Sequence, residues 1–158
     1  MTVTEINIHW MQEALKAAEQ AEKMQEVPVG AVIVKNNEMI ARGFNQVISQ
    51  NDPTAHAEIV ALREAAKSLK NYRLVDSEMY VTLEPCMMCL GAIVHARVKK
   101  VYFAAKEPKA GVLCSHLHLD KAPFLNHQIE VESGVLEDEA ARLLKQFFYE
   151  RRQAKKKS

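Results

Sequence analysis

His56 and Glu58 stand two residues apart at the opening of "HAEIVALREA", and Cys86 and Cys89 stand three apart in "EPCMMC". Neither His56 nor Glu58 is needed to bury the apolar segment that follows, and both are costly to bury without partners. Imidazole nitrogen and thiolate sulfur suit zinc, which takes them in tetrahedral geometry. The cysteines, three apart where a helix would start, project from one face. A helix N-terminus also favours the thiolate forms that bind metal. Three protein ligands are then evident: His56, Cys86 and Cys89. A structural zinc closes with four, whereas a catalytic one keeps its fourth position for water and lowers that water's pKa to about 7. Glu58 is best left off the metal, beside that water, to take its proton and deliver it to a leaving group.

Each piece alone is weak. A C-x-x-C pair also serves as a redox couple or as half of a four-ligand structural zinc, and a lone His-x-Glu is commonly a solvated helix start. Together they favour the catalytic zinc, because each piece sits at a helix opening and Pro85 immediately precedes the cysteine pair. The third cysteine, Cys114, leaves an odd number, which does not make a disulfide framework. "CSHLH" offers Cys114, His116 and His118 at alternating positions. No fourth ligand or helix opening accompanies them, and we read a plain surface loop.

The elements that must position these groups follow from periodicity. Residues 8–24 carry Trp10, Met11, Ala14, Leu15, Ala18 and Ala21 at helical spacing. "AVIVK" and "EMIARGFN" read as a hairpin turned at Asn36-Asn37. Thr54 is placed to cap a helix running to about residue 67, and "EMYVTL" is a third strand. Pro85 falls in the first turn of a helix reaching about residue 97. "KKVYFAA" and "HQIEVES" are two further strands around an irregular stretch at 106–126, long enough to be a functional loop. A last helix starts near Leu136. Strands alternating with helices indicate one α/β domain over 1–158 with a central sheet, its site at the strand–helix junctions. Residues 151–158 read as a basic, frayed tail.

The chain has 158 residues, 48% apolar and 26% charged, a soluble single-domain composition that can bury a sizeable core. A net charge of +1 excludes a polycation. No apolar run is long enough for a membrane span and no signal peptide is evident, so the expected location is the cytoplasm. The tail "YERRQAKKKS" concentrates positive charge and suits an anionic partner, a solvated end being its plainer reading.

"HAE" followed by "PCMMC" resembles the H-x-E…P-C-x-x-C signature of the zinc-dependent nucleobase deaminases, the cytidine/deoxycytidylate deaminase superfamily. The zinc chemistry and base flipping known for that family are taken over with the resemblance. "EVPVGAV", "DPTAHAE", "NYRL", "YVTLEPCMMC", "FLNH" and "FFYERR" resemble its bacterial tRNA adenosine deaminase branch. The resemblance implies a three-layer α/β/α cytidine-deaminase-like fold with a mixed five-stranded sheet. It implies one zinc per subunit on His56, Cys86 and Cys89, with Glu58 as proton shuttle. The reaction implied is hydrolytic deamination of adenosine to inosine at the wobble position of a tRNA anticodon, that of arginine tRNA with anticodon ACG. Asn45, Val27, Pro28, Val29, Ala57 and Glu84 would bind or line the target base, Glu84 being equally readable as a satisfied structural carboxylate. Lys109, Phe148 and Arg151 would contact the anticodon loop, stacking on splayed bases and pairing with phosphates. A homodimer is also implied, with "LGAIVHA" as a candidate interface or, equally, a helix buried in the monomer. This chain departs from the branch at Glu107, in an aspartate's place, and at the bulkier Val112, Leu113 and Cys114. The rival reading is a free purine-base deaminase for guanine. A non-catalytic RNA-binding protein with a structural zinc is disfavoured by the presence of Glu58.

Overall fold

The computed structural model describes residues 1–157. In chain order it runs α1 (Val3–Lys23), β1 (Gly30–Lys35), β2 (Glu38–Phe44), α2 (Ala57–Leu69) and β3 (Ser77–Leu83). It continues with α3 (Met87–His95), β4 (Lys100–Ala105), β5 (Glu130–Ser133) and α4 (Glu137–Lys157). The five strands form one sheet in the order β2-β1-β3-β4-β5. β1 pairs antiparallel with β2 and β3, while β3, β4 and β5 are parallel. The sheet is therefore mixed, as expected.

Alternation along the central strands divides the core in two. Ala31, Ile33, Met79, Val81, Val101 and Phe103 face α2 and α3, packing with Ala61, Leu62, Leu90 and Ile93. Val32, Val34, Tyr80 and Tyr102 face the other way, onto Trp10, Met11 and Ala140 of α1 and α4. Strands buried on both faces read as apolar runs rather than alternating ones. Burying each large side chain such as Phe103 contributes about 1.5–3 kcal/mol, so the three layers are held by both faces of one sheet. The β1–β2 turn sets Asn36 and Asn37 at φ 51° and 58°, the left-handed pair that matches hairpin twist. Gly43 lets α2 lie against the sheet: a Cβ there would stand 2.7 Å from Ala57 O and from Ala61 N.

Several boundaries differ from expectation, each for a local reason. α1 begins at Val3 because Thr2 and Glu5 form a capping box. Thr54 does not cap α2: its hydroxyl and N–H both donate to Asp52 Oδ1, at 2.8 and 2.9 Å, closing a turn instead. The N-cap is His56, and it makes no side-chain capping bond. Pro85 lies outside α3, whose N-cap is Cys86. The basic segment read as a frayed tail continues as α4 to Lys157, its cations at the end where the helix dipole favours them. Ser158, the last residue of that segment, lies outside the described residues. In the 106–126 stretch the bulky Val112 and Leu113 turn inward and are buried in the α2–α3 core.

Candidate metal centre

Two helix openings meet at the end of the sheet where β3 runs out. His56 ends the loop into α2, and Cys86 ends the short β3–α3 junction, each in extended backbone just before its helix. Cys89, one turn into α3, is fully buried. His56 Nδ1 lies 3.7 Å from Cys86 Sγ and 3.5 Å from Cys89 Sγ. The three donor atoms lie within 4.8 Å of one another and are the only such ligand group found among the described residues. A tetrahedral zinc with ordinary bond lengths holds a nitrogen and a sulfur ligand about 3.6 Å apart. The spacing here fits that ion without rearrangement.

The two thiols divide their proton unequally. Contact with Cys89 and with the imidazole brings the Cys86 thiol down to about 3, whereas contact with Cys86 and burial push the Cys89 thiol up. A metal ion entering the site must displace the Cys89 proton, so binding releases protons. Glu58 lies two residues beyond His56 and is 4% exposed. Burial pushes its carboxyl up to about 7, against smaller opposing effects of its own backbone N–H and of His56. A bound dication would draw it down again. Glu58 is thus a buried carboxyl beside the His-Cys-Cys cluster and outside it.

A cavity of about 150 Å³ opens next to the cluster, lined by Val27, Val29, Asn45, His56, Glu58, Leu83, Glu84, Cys86, Glu107 and Ala110. Pockets for drug-sized ligands run to ~300–1,000 Å³, so this smaller one suits a single planar ring system. Asn45 Oδ1 accepts the N–H of Ala57 at 2.8 Å, which commits the amide's orientation. Its Nδ2 is left as a donor for the cavity.

Of the residues expected from the sequence, His56, Glu58, Cys86, Asn45, Val27, Val29 and Glu84 therefore share one cavity wall, with Cys89 behind it. Pro28 is buried and absent from that wall. Ala57 contributes only through its N–H to Asn45. Lys109 is exposed, next to the wall residue Ala110. Phe148 is 40% exposed on α4, one residue from its buried neighbour Phe147, whose ring carries the Arg151 guanidinium at 5.4 Å. No residue of α4 lines the cavity. In "LGAIVHA", Leu90, Ile93 and Val94 are buried within the monomer.

One feature escaped the sequence, and a second was left open by it. Glu26, 1% exposed, accepts the N–H groups of Ile48 (3.1 Å) and Ser49 (2.7 Å) and so holds the turn that follows Asn45. Its position before "VPVG" carried no periodic signal, since its partners lie 22 and 23 residues away. Glu84 is tied to loop backbone in the same manner, and only the fold brings that loop to it.

A family model described as the cytidine and deoxycytidylate deaminase zinc-binding region matches residues 4–105. The tRNA-specific adenosine deaminase of Haemophilus influenzae is 48% identical over 154 residues, 97% of this chain and 89% of the relative. That of Bacillus subtilis is also 48% identical, over 93% of this chain and 91% of its own. A structure solved in studies of A-to-I editing by tRNA:A34 deaminases superposes with a TM-score of 0.84 at 43% identity, covering 86% of this chain and 99% of that one. The guanine deaminase of Bacillus subtilis superposes less fully, with a TM-score of 0.60 at 46% identity over 62% and 63% of the two chains. The chain belongs to the tRNA-specific adenosine deaminases of the cytidine and deoxycytidylate deaminase superfamily.

Proposed function

We propose that this enzyme deaminates adenosine to inosine at the wobble position of a tRNA anticodon, with the ACG anticodon of arginine tRNA as its substrate. The observation that carries the reading is a His-Cys-Cys ligand set, with a buried carboxyl beside it, on the wall of a cavity sized for a single base. His56, Cys86 and Cys89 hold one zinc ion per subunit. When bound, zinc supplies the Lewis acid that makes water nucleophilic at neutral pH. Glu58 accepts the proton of the water that adds to C6 of the adenine and passes a proton to the departing amine. Ammonia leaves and C6 keeps the oxygen. Asn45 Nδ2 donates to the flipped nucleoside, and Val27 and Val29 pack against the base. Lys109, Phe148 and Arg151 engage the anticodon loop, where stacking and phosphate pairing suit unpaired RNA.

We assign a homodimer to the α2–α3 face. A groove of about 510 Å³ there, away from the metal cluster, is lined by Ile59, Leu62, Tyr72, Ala92 and several cations. Met87 on the same helix is 69% exposed. Expected location is the cytoplasm, and no helix among the described residues is long and apolar enough to cross a membrane.

The guanine deaminase superposition favours one rival, a free-base deaminase. Parallel assays on the zinc-loaded protein separate them. An ACG anticodon stem-loop should yield inosine while free guanine and adenine are unchanged. Turnover of a free base with the RNA intact would overturn the proposal.

A further inference from the structure

The carboxylate of Glu84 has five hydrogen-bond donors, all from one segment. Oε1 accepts the N–H of Glu107 at 3.1 Å and the hydroxyl of Ser115. Oε2 accepts the N–H groups of Leu113 (3.0 Å), Cys114 (2.9 Å) and Ser115 (3.0 Å). A carboxylate offers about four lone-pair sites, so nothing remains for a substrate donor, although Glu84 borders the cavity. The side chain is 2% exposed. Burial alone would raise its carboxyl, but the bonds from Ser115, Cys114 and Glu107 bring it down to about 2.

The segment is wound around this one side chain. It leaves β4 beside the bond from Glu84 N–H to Ala105 O (2.8 Å) and returns where Val112 N–H donates to Pro85 O at 3.2 Å. Gly111 N–H closes a turn onto Glu107 O at 2.9 Å. The backbone at Gly111 lies so close that any Cβ would collide with the Glu84 carboxylate. Val112 and Leu113 then anchor the segment in the core. Between these anchors stand Glu107 and Ala110, the segment's contribution to the cavity wall.

We propose that Glu84 is a positioning residue for substrate capture, a post whose five hydrogen bonds hold residues 107–115 as a preformed wall of the base cavity. It touches neither the reacting atoms nor the substrate. The proposal rests on the deaminase reading for what the cavity holds, but the grip on the wall stands apart from it. A preformed wall spares the cost of ordering a loop at each binding event, so its loss should appear in binding rather than in chemistry.

The test compares zinc-loaded wild type with Glu84→Gln and Gly111→Ala. The first puts an amide N–H where N–H groups now converge. The second disturbs the contact from the loop side and leaves the carboxylate intact. Each variant should raise KM for the stem-loop about tenfold while kcat stays within about threefold. Zinc content should remain one per chain, and amide exchange at 113–115 should accelerate. A fall in kcat at unchanged KM would place Glu84 in the chemical step and overturn the proposal. Unchanged exchange, or zinc lost from both variants, would do the same. Should Glu84→Gln fail to fold, Gly111→Ala carries the test. A wild type that deaminates no stem-loop ends the deaminase reading, while exchange still decides whether Glu84 holds the wall.

Discussion

Glu58, at the opening of α2, and Glu84, at the junction of β3 and α3, border the same cavity and are 4% and 2% exposed. Burial pushes the carboxyl of Glu58 up to about 7, while that of Glu84 is brought down to about 2. Desolvation acts on both, and the difference lies in the donors each one meets. Glu84 has the N–H groups of four loop residues and a hydroxyl within reach, while the chief opposing influence on Glu58 is its own backbone N–H. Burial therefore does not decide what a carboxyl does. A group short of donors holds a proton to exchange, and a saturated one is a structural anion.

Removing the metal is expected to have the largest effect. Chelation should bring deamination below detection, and added zinc should restore it. Because Glu84 is bound to backbone and not to the cluster, amide exchange at 113–115 should change little. Strong acceleration there would tie the two regions together and break the contrast.

Next comes Glu58→Gln, which keeps the shape and removes the exchangeable proton. Loss of general acid–base catalysis costs about 10²–10⁴ in rate, so stem-loop turnover should fall by that much with zinc still bound. Thermal stability should hold or rise, since replacing an active-site carboxyl relieves a destabilised group. Retained turnover would remove Glu58 from the chemistry.

Glu84→Gln should show the reverse pattern in a melting experiment. Leaving buried N–H donors unpaired costs about 1–3 kcal/mol, and each kcal/mol lowers Tm by about 2–4 °C at this chain length. An unchanged Tm would mean that water satisfies those donors and that Glu84 is no post. The smallest effect is expected far from both carboxyls. Arg151→Ala should weaken stem-loop binding and reduce its salt dependence by about 0.7 in slope if one phosphate contact is lost. An unchanged slope would limit Arg151 to its contact with the Phe147 ring.

Much of the fold could be read from the chain. The apolar runs "AVIVK", "EMYVTL" and "KKVYFAA" became the three central strands, because a strand buried on both faces is apolar along most of its length. Helix openings were harder. Thr54 looked like the cap of α2, but Asp52, two residues earlier, offered its hydroxyl and N–H a nearer acceptor. The bulky loop residues Val112 and Leu113 could not be placed from the sequence. Their inward orientation depends on the α2–α3 core beneath them.

The His-Cys-Cys cluster and the buried carboxyl beside it were legible for a local reason. His56 with Glu58, and Cys86 with Cys89, are near neighbours whose spacing and helix-start positions are written in short stretches. The roles of Glu26 and Glu84 were decided only by the tertiary structure. Their partners lie 22 to 31 residues away in the chain, and all but the Ser115 hydroxyl are backbone N–H groups, which every residue but proline carries. Such a donor leaves no mark on residue type, so no pattern of side chains could announce it, and only the path of the folded chain brings it to the carboxylate.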